Sequence, residues 1–149
     1  MAIARGAGTE IIRSAHFAVV DSTETPVIIG VQHHIYTVLS IIVMATSPQA
    51  AGNWVVCHLV GFDSKAASSA QNIKIFRQDM SIEQTFVWND KFSFNGYEPT
   101  GFSGALSTAA EQDALADQCG SVAQTLYVAT EHADDNYDVT VTFIDQNNS

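Results

Sequence analysis

Hydrophobic and polar positions alternate with a period of two over much of this chain, and the pattern is clearest near its end. In Tyr137 to Asp145, Val139, Val141 and Phe143 point one way while Asp138, Thr140, Thr142 and Ile144 point the other. That is the pattern of a strand with one buried face. Further strands are predicted around Ile11 to Val20, Val27 to Gly30, His34 to Ala45, Asn53 to Gly61 and Val122 to Thr130, with a short one where Ile73 and Ile75 flank Lys74. The intervening segments Asp21 to Pro26, Ser47 to Gly52, Asp63 to Ala70 and Glu131 to Asn136 have turn or loop composition. Gly30, between two apolar runs, predicts a bulge or bend.

The decapeptide Thr85 to Phe94, TFVWNDKFSF, places two aromatic runs around Asn89-Asp90 and predicts a hairpin. Asn89-Asp90 lacks the glycine that a tight primed turn prefers, so one long strand with a bulge at Asn89 and a turn at Asn95-Gly96 is the alternative. In either case Phe86, Trp88, Phe92 and Phe94 are expected in the core. One helix is expected, near 109–118, where Thr108 and Glu111 form a capping box before Ala-rich sequence that closes at Cys119-Gly120. Seven to nine strands without a βαβ rhythm predict an all-β fold, an antiparallel β-sandwich of jelly-roll type carrying that one short helix. Residues 1–13 are expected as an N-terminal arm and residues 14–149 as a single sandwich domain.

A chain of 149 residues is long enough to bury roughly 68–70 % of its unfolded surface without a disulfide or metal. Its 46 % hydrophobic and 15 % charged residues exclude intrinsic disorder and leave a surface poor in charge. The net charge of −10 is unevenly spread: residues 1–91 hold all six Lys and Arg against seven acids, and residues 92–149 hold nine acids with no Lys or Arg. This balance argues against nucleic acid, which is bound through cations on phosphates. Cys57 and Cys119 are expected as two free thiols, suited to folding in a reducing compartment. No signal peptide is visible in MAIARGAGTEIIR. The most apolar stretch, Val27 to Ala45, contains Gln32, His33 and His34 and is not expected to cross a membrane.

Each chemical motif has an ordinary reading that outweighs it. Adjacent strand residues face opposite sides, so neither His33-His34 nor Cys57-His58 is expected to act as a pair, and apolar surroundings should raise the Cys57 thiol pKa. Gly101-Phe102-Ser103-Gly104 is shorter than a nucleophile elbow and is expected to be a turn. Asp134, Asp135 and Asp138 lack the spacing and glycine of an EF-hand loop, and an acidic turn is the default. Trp54 and Trp88 lie in strand patterns and are assigned to the core. That leaves Tyr97 and Phe102 as the aromatic candidates for a sugar-stacking surface. No enzyme, cofactor or metal is expected.

An N-terminal arm, the bent apolar pair IYTVLSIIVMA, the strand and polar loop NWVVCHLVGFDSKAASSAQNIKIF, the segment MSIEQTFVWNDKFSF and the closing strand YDVTVTFIDQ together resemble the capsid cement or decoration proteins of bacteriophages. The resemblance spans most of the chain and is one of strands and turns. It implies a homotrimer on the outer face of a phage head, clamping neighbouring major capsid subunits after synthesis in the host cytoplasm. Arg5, Ile11, Ile12 and Arg13 of the arm, with the acid-rich C-terminal third, are the expected contacts to the capsid and to sister copies. A tail- or fibre-associated protein, or a carbohydrate-binding adhesion module using Tyr97 and Phe102, is the alternative.

Overall fold

The computed structural model describes residues 9–61, 71–97, 108–110 and 123–147. Within them run nine strands: β1 (Thr9–Val20), β2 (Thr25–Ile29), β3 (His34–Ser47), β4 (Asn53–Gly61), β5 (Gln71–Met80), β6 (Thr85–Trp88), β7 (Phe92–Asn95), β8 (Thr125–Thr130) and β9 (Asn136–Asn147). They form two antiparallel sheets. Sheet A has the order β1-β9-β3-β6, with β7 also on β3, and sheet B has the order β2-β8-β4-β5.

The order follows from folding the chain in half. Counting β6 and β7 as one interrupted strand, β1 pairs with β9, β2 with β8, β3 with β6 and β7, and β4 with β5, every pair antiparallel. This long double ribbon then rolls up, and the ladders β3–β9 and β4–β8 form where it meets itself. The result is the expected β-sandwich, with a jelly-roll strand order. The helix expected near 109–118 falls almost wholly outside the described residues; Ala109 and Ala110 are helical and exposed.

The core is the inner face of both sheets. Sheet A contributes Tyr36, Val38, Ile41, Val43, Tyr137, Val139, Val141 and Phe143, and sheet B contributes Ile28, Val55, Cys57, Leu59, Phe76, Leu126 and Val128. Burying each Val or Leu stabilises the fold by about 1.5–3 kcal/mol. Phe86, Trp88 and Phe92 pack against this cluster and Phe94 is buried in it, as expected. Phe76 bridges the sheets to Phe86 at 5.0 Å and Trp88 at 5.6 Å between ring centroids.

Two expectations about strand boundaries change. TFVWNDKFSF is not a hairpin, because both of its halves pair with β3: Trp88 lies opposite Ile41 and Phe92 opposite Val38. Four steps along the run match three along β3, which gives the interrupted single strand held as the alternative. The first strand begins at Thr9, so Ile11, Ile12 and Arg13 lie in the β1 ladder, inside the stretch expected as an arm.

The bend expected at Gly30 is a sheet crossing. There the β2–β3 connection passes from sheet B to sheet A alongside Gly96, which follows β7, and Gln124, which precedes β8. Gly30 N donates to Gln124 O, Gln124 N to Gly96 O and Gly96 N to His34 O, each at 2.8 Å, so the ribbon keeps its hydrogen bonds through the corner. A Cβ on Gly30 would stand 2.0 Å from Gly96 O, and one on Gly96 1.9 Å from Val31 O. Gly52 is needed for a different reason: its φ is +84°, and a Cβ there would meet nothing within 4 Å.

Alanine separates the two glycine roles. Gly96→Ala should cost about 3 kcal/mol, because it overpacks backbone that cannot give way. Gly52→Ala should cost about 1 kcal/mol, for left-handed backbone alone. Urea denaturation of the two variants reads the difference, and equal losses would contradict the crossing geometry.

Candidate interaction surface

Alternation that sends apolar side chains inward on sheet A sends a nearly uncharged set outward. Ile12, Ser14 and His16 on β1, Thr140, Thr142 and Ile144 on β9, Thr37, Ser40, Ile42 and Met44 on β3, and Thr85 and Val87 on β6 share this face by register. Its acids among the described strands are Glu10 and Asp138, from a chain that has 16. Ile12 is 69 % exposed, and Ile42, Met44 and Val87 are also exposed. The polar side chains pair across strands: Ser14 Oγ with Thr142 Oγ1 at 3.1 Å, His16 Nδ1 with Thr140 Oγ1 at 2.9 Å and Thr37 Oγ1 with Ser93 Oγ at 2.9 Å.

The expected contacts Ile11, Ile12 and Arg13 divide between the two faces of β1. Ile12 faces out opposite Ile144, whereas Ile11 and Arg13 lie on the inner side, opposite Asp145 and Phe143. The Arg13 guanidinium donates to Asp145 Oδ2 at 3.0 Å, and His34 Nδ1 lies 2.6 Å from Asp145 Oδ1. Asp145 is buried at 6 % exposure, so its charge is held by two partners more than 100 positions away in sequence. These three side chains, with Thr9, Ile11 and Asn147, line an open cleft of about 300 Å³. Arg5 lies outside the described residues.

The outer face of sheet B is chemically different. Trp54, assigned to the core from its strand pattern, points outward and carries the Arg77 guanidinium 4.9 Å from its ring centroid. Trp54, Arg77, Lys74, Glu24 and His58 line a pocket of about 280 Å³. His58 stacks on Tyr127 at 5.6 Å and is 4 % exposed. Glu24 Oε1 lies 3.0 Å from its Nε2 but out of line for a hydrogen bond, which leaves Nε2 without one. Of the two loop aromatics, Tyr97 is half-buried and bridged to Ala123, and Phe102 lies outside the described residues, as does Gly101 to Gly104.

The remaining motifs are also placed. Cys57 and His58 face opposite sides, as expected, and burial pushes the Cys57 thiol up to about 12. Cys119 lies outside the described residues. His33 sits in a turn at φ +65° while His34 begins β3, and both are half-buried. Asp134, Asp135 and Asp138 do not converge. Asp134 is exposed and Asp138 stands on the outer ladder of β9, but Asp135 is buried. The Asp135 carboxylate accepts from Gln49 N at 2.8 Å, Asn53 Nδ2 at 2.8 Å and His132 N at 3.0 Å, tying the β8–β9 loop to the β3–β4 loop. The Tyr137 hydroxyl donates to Asn53 O at 2.9 Å in the same cluster. Burial, reinforced by Asp135, Glu131 and Asp79, raises that phenol to about 12. Among the described residues no three metal-ligating side chains gather.

No family model matches the chain, and no curated protein matches it. Among solved structures it is similar to one described as "Bacillus endospore appendages form a novel family of disulfide-linked pili", at 9 % identity and a TM-score of 0.46, covering 100 % of this chain and 97 % of that one.

The Asp135 bracket makes stability pH-dependent with a definite sign. Burial alone would raise its carboxyl, but hydrogen bonds from Gln49, Asn53, His132 and Thr130 outweigh burial and hold it below the usual range. A pKa lower in the folded than in the unfolded state adds stability above the ordinary carboxylate range, and that stability is lost as pH falls through the folded value. Asp135→Asn should cost about 3 kcal/mol at neutral pH and should flatten the decline of Tm on acidification. Thermal melts of both proteins across the acid range check this, and parallel curves would refute it.

Proposed function

We propose that the protein is a non-catalytic structural component of a virion: a decoration protein that seats on the outer surface of a phage head and clamps neighbouring major capsid subunits. The observation that carries this reading is the charge-poor outer face of sheet A. Burying a charge in a contact costs several kcal/mol unless it is paired, and contact cores are depleted in charge for that reason. This face offers exposed Ile12, Ile42, Met44 and Val87 among hydroxyls already bonded to one another. A clamp of this kind gains strength from many symmetric copies acting together, each burying a modest area. The decoration role itself is what the resemblance in strand pattern implies, as is the homotrimer.

Trp54 favours a second reading, an adhesion module that binds carbohydrate. An outward indole capped by Arg77, with Lys74 and Glu24 in the same pocket, combines an aromatic surface with hydrogen-bonding groups. On this reading the ligand residues move from Tyr97 and Phe102 to the pocket on sheet B.

Co-sedimentation with heads of the phage whose genome encodes the chain tests the first reading. Saturable binding is expected, with a loss of at least about tenfold for Ile42→Lys combined with Val87→Lys, since each tenfold corresponds to about 1.4 kcal/mol. Binding that ignores the double substitution would acquit the face, and no binding by the wild-type protein would end the capsid reading. Retention on a glycan array that Trp54→Ala abolishes and Tyr97→Ala leaves intact is the result the second reading requires.

A further inference from the structure

A sheet edge is an open row of backbone donors and acceptors, and proteins blunt such edges with short strands, proline, charge or interruption. Three of the four edges here carry such a device. The β2 edge is five residues long and contains Pro26. The β5 edge bears Lys74, Arg77 and Asp79. The β6–β7 edge is interrupted across Asn89, Asp90 and Lys91.

The fourth edge, β1, is different. It keeps one register on β9 from Thr9 to Phe17, and its far side has no strand partner among the described residues. The segment has no proline or lysine; its charges are Glu10 and Arg13, the latter engaged by Asp145 at 3.0 Å, its bulge falls beyond Phe17, and Ile11 and Ile12 are 52 % and 69 % exposed.

We infer that β1 pairs antiparallel with β1 of a second copy about a twofold axis at Arg13, joining two copies of sheet A into one continuous sheet. The occupant follows from the self-complementarity of this segment. For the two sheets to continue with matching faces, paired residues must share a face, and centring the pairing on Arg13 uses every residue of the straight segment. Thr9 then opposes Phe17, Glu10 opposes His16, Ile11 opposes Ala15 and Ile12 opposes Ser14.

Charge fits this register as well. An acid meets an imidazole at Glu10 and His16, while the two arginines near the axis are each neutralised by their own Asp145, which removes the like-charge penalty of a directly opposed pair. Placing Ile12 on the axis instead would leave Phe17 without a partner inside the segment and Glu10 opposite Ser14. This pairing gives two copies in place of the homotrimer that the resemblance implies. The dimer would present the charge-poor faces side by side as one surface. That use rests on the decoration reading, but the pairing does not.

Light scattering in solution, without capsids, tests the pairing. The expected mass is twice the 16.0 kDa of the chain, falling to one copy for the exposed double variant I12K/S14K, whose circular dichroism should remain that of the wild type. In a Cys119→Ser background, mixing I12C with S14C under oxidation should give a disulfide dimer, while neither variant alone should. A wild-type monomer, a trimer, an open-ended polymer, or a dimer that survives I12K/S14K and fails to cross-link would each overturn the inference. The capsid reading fails separately, when the wild-type protein does not co-sediment with heads, and the Ile42→Lys with Val87→Lys variant that tests its face leaves the β1 edge intact.

Discussion

The structure depends on one steric constraint: two chain segments must cross between sheets at the same corner without losing their mutual hydrogen bonds. Gly30 and Gly96 meet that constraint by having no side chain, so that backbone lies against backbone where any Cβ would collide. The other corners are built on the same plan. Thr130 N donates to Asp21 O at 2.9 Å where β1 gives way to β2 and β8 to β9. Glu83 N donates to Ala45 O at 2.7 Å, and Ala45 N to Gln84 O at 2.9 Å, where β3 gives way to β4 and β5 to β6. At these described corners the rolled ribbon keeps its pairing as it changes sheet.

Rolling the ribbon creates two outer surfaces with unlike chemistry. Sheet A turns out threonine, serine and isoleucine, with Glu10 and Asp138 as the acids of its described strands, while sheet B turns out Trp54, Lys74 and Arg77 around a buried imidazole. Among the described strands the outer face of sheet A carries those two acids and no Lys or Arg. Such a surface is cheap to desolvate and weakly repelled by a neighbour of like charge.

Much of the fold was legible because period-two alternation reports burial directly. Tyr137 to Asp145 shows its buried set in the sequence, and the aromatic anchors Phe86, Trp88, Phe92 and Phe94 all pack where their pattern put them. What alternation does not report is which strand is the neighbour. TFVWNDKFSF therefore predicts a hairpin although both halves pair with β3, and Trp54 begins a run, WVVCHLV, that is apolar at both parities, so its pattern does not say that the strand turns it out. The Arg13, His34 and Asp145 cluster was missed because its members lie 111 and 132 positions apart. One signal was available: Asp145 continues the inward series of Val139, Val141 and Phe143, and a carboxylate in such a place requires partners.

The folded-in-half topology also spreads the strand pairs from local to very distant in sequence. The β4–β5 pair is local, and each pair outward along the ribbon closes a longer loop, until β1 meets β9 across nearly the whole chain. Contacts so distant in sequence make folding slow. Because β9 lies between β1 and β3, sheet A has no centre until the final strand has left the ribosome. A chain from which β9 has not yet emerged would leave the inner face of sheet A without its middle strand.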